Sequence, residues 1–177
     1  MKKITTFCVL LYVGVSCNNP ADKSTSTKDA VSMEKPVYAY TIKNPDNWEI
    51  GSSTNTALAL SSLKAFENNK LDESLVGFAD SVVWREENMD GKFSKDSMKA
   101  MLTAAWKQMK SINIEMRDFE SVISKDKKDE WVTLWYNQTT TDMNGKTDSV
   151  AVVDDLKIVS GKIVELNGYT RTLKPKK

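Results

Sequence analysis

The chain reads as an α+β domain in which helices cover one face of a curved antiparallel sheet, and three patterns in succession predict it. Apolar residues recur at helical spacing in Leu60, Leu63 and Phe66, and again in Met98, Met101, Leu102, Ala105 and Met109. From residue 112 onward apolar and polar residues alternate with period two, as they do in strands with one buried face. The turn pairs Asn144-Gly145 and Ser160-Gly161 then fold that segment back on itself as hairpins. Helices followed by consecutive hairpins call for segregated layers rather than βαβ units.

Taken in order, residues 36–54 carry Val37, Tyr38, Tyr40, Ile42 and Trp48 but are interrupted by Pro45, so they read as an arm packed on the domain. A helix over 56–69 follows, with Asn55 or Thr56 placed to accept the first free backbone N–H groups. A second helical turn spans 72–77, with Leu71, Leu75 and Phe78 on one side. Residues 79–86, rich in Val and Trp, favour a strand, and Asp90-Gly91 signals a turn after it. The next helix covers 94–110, capped by Ser94 and with Asp96 near the positive end of its dipole. Its methionines are core fillers. Four strands close the chain at 112–123, 131–140, 147–158 and 162–172, with a turn at 125–129.

Lys2 and Lys3 precede an apolar run from Ile4 to Val15 that is shorter than the roughly 20 residues a bilayer span needs. Small residues then lead to Cys17. This is the three-part form of a secretory signal, and it resembles a bacterial lipoprotein leader, although Gly14 stands where such leaders usually place Leu. The resemblance implies cleavage of 1–16 and a lipid on Cys17. Residues 17–35, mostly Ser, Thr, Lys, Asp and Asn, read as a flexible tether. The domain is thus expected in the bacterial cell envelope, outside the cytoplasm, held to a membrane, the outer membrane first among them.

Charge and composition exclude several classes of function. Lys plus Arg number 25 against 24 Asp plus Glu, which leaves no positive excess to hold a phosphate backbone, so no nucleic-acid partner is expected. Histidine is absent, which removes Ser-His-Asp and Cys-His triads, imidazole acid–base chemistry and His-based zinc sites. No cofactor and no metal are expected. The two cysteines, Cys8 and Cys17, leave no thiol pair in a mature domain, whose apolar core must hold it alone.

The segment Phe78-Ala79-Asp80-Ser81-Val82-Val83-Trp84, the helix after it, and the hairpins closing through Leu156-Lys157-Ile158-Val159-Ser160-Gly161-Lys162-Ile163 resemble the nuclear transport factor 2-like superfamily, which includes the SnoaL-like proteins and ketosteroid isomerase. The likeness covers residues 55–173. It implies a cone-shaped α+β roll with a pocket between helices and sheet, and frequent homodimers through the open sheet face.

Strand alternation selects the side chains that can face such a pocket. Asp154 shares a face with Val150, Val152, Leu156 and Ile158, as the polar member of an apolar row. Glu86 shares a face with Val82 and Trp84. The resemblance places Glu86 and Asp154 where ketosteroid isomerases carry their general base and hydrogen-bonding acid. It places Ser62, a shorter and less acidic hydroxyl, where they carry the oxyanion tyrosine. Read without the resemblance, Glu86 is a strand-end carboxylate paired with Lys92 or open to water, and Asp154 pairs with an amide or Arg. Trp84, Trp106, Trp131 and Trp135 are candidate pocket walls, alternation leaving open whether Trp131 and Trp135, or Val132, Leu134 and Tyr136, face inward. The function expected is a membrane-anchored, non-catalytic domain binding a small apolar ligand or a protein partner. The alternative is an isomerase- or cyclase-like enzyme acting on a small carbonyl compound through Glu86 and Asp154. A dimeric structural protein of the envelope is a third possibility.

Overall fold

The computed structural model describes residues 37–43 and 47–174. The leader, Cys17 and the tether lie outside these residues. The chain divides into two compact units, Met1–Thr41 and Ile42–Lys177, and the second holds every described helix and strand. Of the first, residues 37–41 are exposed and form neither helix nor strand.

The second unit is built from β1 (Trp48–Ile50), α1 (Ser53–Glu67), α2 (Leu71–Leu75), β2 (Phe78–Glu86), β3 (Met89–Ser94), α3 (Lys95–Trp106), β4 (Met109–Ser124), β5 (Glu130–Asp142), β6 (Thr147–Val159) and β7 (Lys162–Thr172). Its strands form one seven-stranded sheet in the order β1-β4-β5-β6-β7-β2-β3. The last four strands are successive antiparallel hairpins. A bulge between Met116 and Asp118 and another between Lys157 and Ile158 bend the sheet. The α+β expectation therefore holds, with one departure: β2 lies parallel to β7.

Local chemistry explains the agreements. Ser160 and Gly161 both adopt positive φ, 50° and 70°, the backbone of a tight hairpin turn. The Ser94 hydroxyl accepts the Ser97 N–H at 3.1 Å and starts α3.

Three expectations need correction. Asp90-Gly91 is no turn: Asp90 pairs with Arg85 and Gly91 with Trp84, the chain having reversed at Glu87 and Asn88. That register sets Phe93 edge-on to Trp84, with centroids 6.5 Å apart, and lets Asp90 meet the Arg85 guanidinium at 3.3 Å. Helix α3 stops at Trp106 and Met109 opens β4, because Met109 pairs with Asp142 at the far end of the long β4–β5 ladder. Helix α1 begins at Ser53 rather than at 56, and the N–H of Ser52 donates to Glu130 at 2.8 Å. In the segment expected as an arm, Trp48–Ile50 is an edge strand on β4.

The core lies between helices and sheet. Ala59 of α1 and Met98 of α3 are each 1 % exposed, and they pack against Val82, Val132, Leu134 and Ile163. Glu67 locks α1 to the sheet, its carboxylate accepting the Ile114 N–H at 2.9 Å. Among the described residues no helix is long and apolar enough to cross a membrane.

Candidate active site

Between the helices and the concave face of the sheet lies a cavity of about 350 Å³. Leu63 and Phe66 of α1, Met101 and Leu102 of α3, and Leu134 and Leu166 of the sheet give it apolar walls. Its charged lining residues are Glu86 and Asp154.

Asp154 sits on β6 between Val152 and Leu156, both buried. The Tyr136 hydroxyl donates to its Oδ2 at 2.7 Å. The carboxylate is largely withdrawn from water, and this desolvation pushes its pKa up from 3.8 to about 7. The Tyr136 bond pulls the other way, and the charges of Glu86 and Asp155 add to the rise. Burial, with Asp154 beside it, drives the Tyr136 phenol well above its ordinary range, so Tyr136 stays protonated as a donor. Glu86, the other acid of the lining, is exposed, and its Oε1 accepts the Trp84 indole N–H at 2.8 Å.

The two acids come from distant parts of the chain. Strand β7 runs between β6 and β2, and its Gly168 pairs directly with Asp154. A Cβ added at Gly168 would stand 3.2 Å from Glu86 Oε1 and 3.3 Å from Asp154 Oδ1. Both carboxylates therefore lean over one bare stretch of backbone. Behind each stands a neutral donor, an indole for one and a phenol for the other.

Neither a protein-family model nor a curated protein matches this sequence. Solved structures do. A nuclear transport factor 2-like protein of unknown function from Burkholderia pseudomallei superposes with a TM-score of 0.56 at 16% identity, covering 69% of this chain and 92% of that one. An LEH-like epoxide hydrolase from M. tuberculosis gives 0.56 at 11% identity, over 68% and 84% of the two chains. A protein from Shewanella denitrificans classed with SnoaL-like polyketide cyclases gives 0.56 at 14% identity, over 68% and 92%. The fold is that of the nuclear transport factor 2-like proteins.

Within this fold, Glu86, Asp154 and Trp84 all line the cavity. Trp106, Trp131 and Trp135 do not. Trp106 stands behind Phe66, edge-on at 6.1 Å. Trp131 and Trp135 point away from the helices, because the face of β5 turned inward is that of Val132, Leu134 and Tyr136, at most 5 % exposed. Lys157 lies 5.6 Å above the Trp131 ring on that outer face. Glu86 bonds Trp84 rather than Lys92, and Asp154 bonds a phenol rather than an amide or Arg. Ser62 does line the cavity, in the place where the resemblance set a serine for a tyrosine.

Tyr136 was legible only as one of an apolar row. A hairpin closing at Asn144-Gly145 sets Thr141 opposite Thr147, and counting back from there sets Leu134 opposite Asp154. Tyr136, two residues from Leu134 on the same face, is then the diagonal neighbour of Asp154, within reach of an aromatic side chain.

Proposed function

We propose that the cavity binds a small, largely apolar carbonyl compound and moves a proton on it, an isomerase- or cyclase-like activity. Glu86 takes the proton from the carbon beside the carbonyl. Protonated Asp154, backed by Tyr136, donates a hydrogen bond to the oxygen as enolate charge develops there. Glu86 then returns the proton to carbon, so no net charge is left behind. The observation that carries this reading is the convergence of both carboxylates on Gly168, one of them held near pKa 7 by burial. A neutral carboxylic acid can donate where a carboxylate cannot.

Deuterium exchange into 2-tetralone, followed by NMR in D₂O, tests it. The wild-type chain should accelerate exchange, with the rate falling as pH rises through about 7 when Asp154 loses its proton. Asp154→Asn should lower the rate by roughly 100-fold or more, the worth of one donor to an oxyanion. Wild-type exchange no faster than buffer, or a fully active Asp154→Asn, defeats the proposal. A second reading, a non-catalytic ligand-binding domain, is favoured by Ser62, since α1 brings no tyrosine to the cavity. Binding of the ketone without exchange would select it.

We also propose, from the leader, that lipid on Cys17 holds the domain to the cell envelope. Cys17→Ser should release it from the membrane fraction, and unchanged partitioning would refute this. The outer sheet face with Trp135, Val153 and Tyr169 in register is the surface proposed for a homodimer.

A further inference from the structure

We propose that the corner of the sheet where β1 meets β4 and β5 rests on the membrane that holds the chain, with Trp48, Ile50 and Trp131 settled in the interfacial layer of the bilayer. This contact rests on the lipid proposed on Cys17, which brings the corner near the membrane, and it lies on the outer face of the sheet, away from the cavity.

Register gathers these side chains. Ile50 pairs with Val122, Val122 with Trp131 and Trp131 with Lys157, so the four form one row across β1, β4, β5 and β6. Directly paired residues share a face, and this face is the outer one, because Trp131 points away from the helices. Trp48, two residues before Ile50, lies on the same side. Ile50 is 92 % exposed and Trp48 49 %. Edge strands ordinarily turn charged side chains to water, and a solvated edge gains nothing from Ile and Trp. Apolar residues scattered singly over a surface call for no partner, but a block of them in register marks a contact. The row lies four residues along β5 from Trp135, about 13 Å by strand rise, clear of the surface proposed for the homodimer.

The place of the corner in the chain and the chemistry of its rim favour a membrane as the occupant. The chain enters the sheet here: the Lys125 N–H donates to the Asn47 carbonyl at 2.8 Å, and β1 begins at the next residue. The tether expected over residues 17–35 spans about 20–25 Å by coil scaling, so β1 is the part of the sheet that follows the anchor most closely along the chain. A lipid on Cys17 thereby turns a weak surface contact into an intramolecular one, with the gain in effective concentration that a short linker brings. The rim carries charges of both signs, closely paired: Lys127 with Glu49, Lys128 with Asp126 at 3.4 Å, and Lys157 with Asp129 at 2.5 Å. Acidic groups offset the basic ones, so attraction to anionic headgroups is small and the apolar row supplies the contact. Tryptophan suits the headgroup level, its ring body apolar and its N–H wet. Lys157, 5.6 Å above the Trp131 ring, lays its stem along the row and holds its ammonium toward water.

Quenching by brominated lipid tests this. The full chain, recovered from bacterial membranes and placed in phosphatidylcholine vesicles whose acyl chains are brominated near the headgroup, should lose tryptophan emission. Most of that loss should vanish when Trp48→Phe is combined with Trp131→Phe, whereas Trp135→Phe should leave the quenching of the remaining tryptophans intact. The quenching should need no phosphatidylglycerol and should persist at about 0.5 M salt, where exposed charges are screened. Quenching that requires phosphatidylglycerol and disappears in salt would mean that the lysines, and not the apolar row, make the contact. Quenching unchanged in the Trp48→Phe, Trp131→Phe chain would place the contact elsewhere.

Ile50→Ser gives a second measurement that does not lean on the core, because its side chain is almost wholly exposed. It should lower the ratio of docked to undocked domain, read from the quenching of Trp48 and Trp131, by about tenfold, the worth of withdrawing one large aliphatic side chain from water. Quenching that Ile50→Ser leaves as it was would overturn the contact, and an absence of quenching together with a change in sedimentation on Ile50→Ser would make the corner an interface with protein instead. Mass spectrometry of the peptide containing Cys17 separates this contact from the anchor. Lipid on Cys17 without quenching sinks the contact alone, whereas a bare Cys17 sinks the anchor whatever the quenching shows.

Discussion

Replacing Asp154 with Asn should change how stability depends on pH, and the size of the change can be worked from the site. Burial raises the folded-state pKa from 3.8 to about 7. A rise of one in pKa corresponds to about 1.36 kcal/mol, so a rise of roughly three amounts to about 4 kcal/mol at most. The sign follows from proton counting. Between about pH 4 and pH 7 the unfolded chain has released this proton while the folded chain still holds it, so stability falls as pH rises. Below that window the contribution of the neutral acid is fully present, and above it the loss is complete. Asparagine cannot ionise, has nearly the same shape, and keeps an oxygen to accept the Tyr136 hydroxyl. Glu49, Glu67 and Asp126 shift downward and so bend the curve the other way at low pH, which is why the informative quantity is the difference between the two chains. Urea unfolding at intervals from about pH 4 to 8.5 should show Asp154→Asn gaining on the wild type by up to about 4 kcal/mol across the window. A difference that does not vary with pH would mean that the Asp154 carboxylate is not desolvated, and the acid role assigned to it would go with it.

Other perturbations read other parts of the fold. Tyr136→Phe removes the one bond that favours ionised Asp154, so the carboxyl titration followed by ¹³C NMR should move higher still. Met98→Ala opens the wall of the cavity beneath α3 and should cost roughly 2–5 kcal/mol in urea unfolding. Ser94→Ala deletes the hydroxyl cap of α3 and should cost about 1 kcal/mol, with the cavity's affinity for 2-tetralone unchanged. Trp135→Glu combined with Tyr169→Glu sets like charges on the outer sheet face and should turn a dimer into a monomer by sedimentation, whereas a wild type that already sediments as a monomer would remove that face as a self-association surface.

The parts of this architecture written in local pattern were readable before any coordinates. Strands β5, β6 and β7 each carry period-two alternation, and positive-φ turn residues separate them, so register and facing follow from counting. That is why Asp154 could be placed on the inner row from its neighbours Val152 and Leu156. Strand β3 was missed because Asp90-Gly91 carries turn chemistry, while the pairing of Met89 and Phe93 against β2 overrides it. The inward face of β5 was undecidable from alternation because both of its faces are aromatic and apolar. Only the docking of α1 and α3 on Val132 and Leu134 decides it, which left Trp131 and Trp135 outside and brought Tyr136 in.

The least legible feature is the one on which the site depends. Glu86 and Asp154 each lie on an inward row of their own strand, but a shared face does not make them neighbours. What makes them so is the parallel pairing of β2 with β7, in which Trp84 meets Leu166 and Arg85 meets Asn167, so that the next step along both strands brings Glu86 beside Gly168. Had β2 paired with the other edge of the sheet, next to β4, the same two rows would still face the helices with the acids on opposite sides of the cavity. The Arg85 guanidinium reinforces the register that was adopted, bonding Glu165 at 2.5 Å and Asn167 at 3.1 Å across β7 on the outer face. Those contacts are exposed and individually modest in energy, which makes them a poor source of stability but an effective lock on alignment. Slipping β2 by one residue would carry Glu86 to the outer face and Arg85 toward the cavity, setting a cation beside a desolvated acid. The ion pair outside and the acid pair inside are two consequences of a single register. Arg85→Ala should therefore disturb the titration of Asp154 on the opposite side of the sheet without touching it, and a ¹³C titration of Asp154 identical to that of the wild type would show that the register holds without the guanidinium.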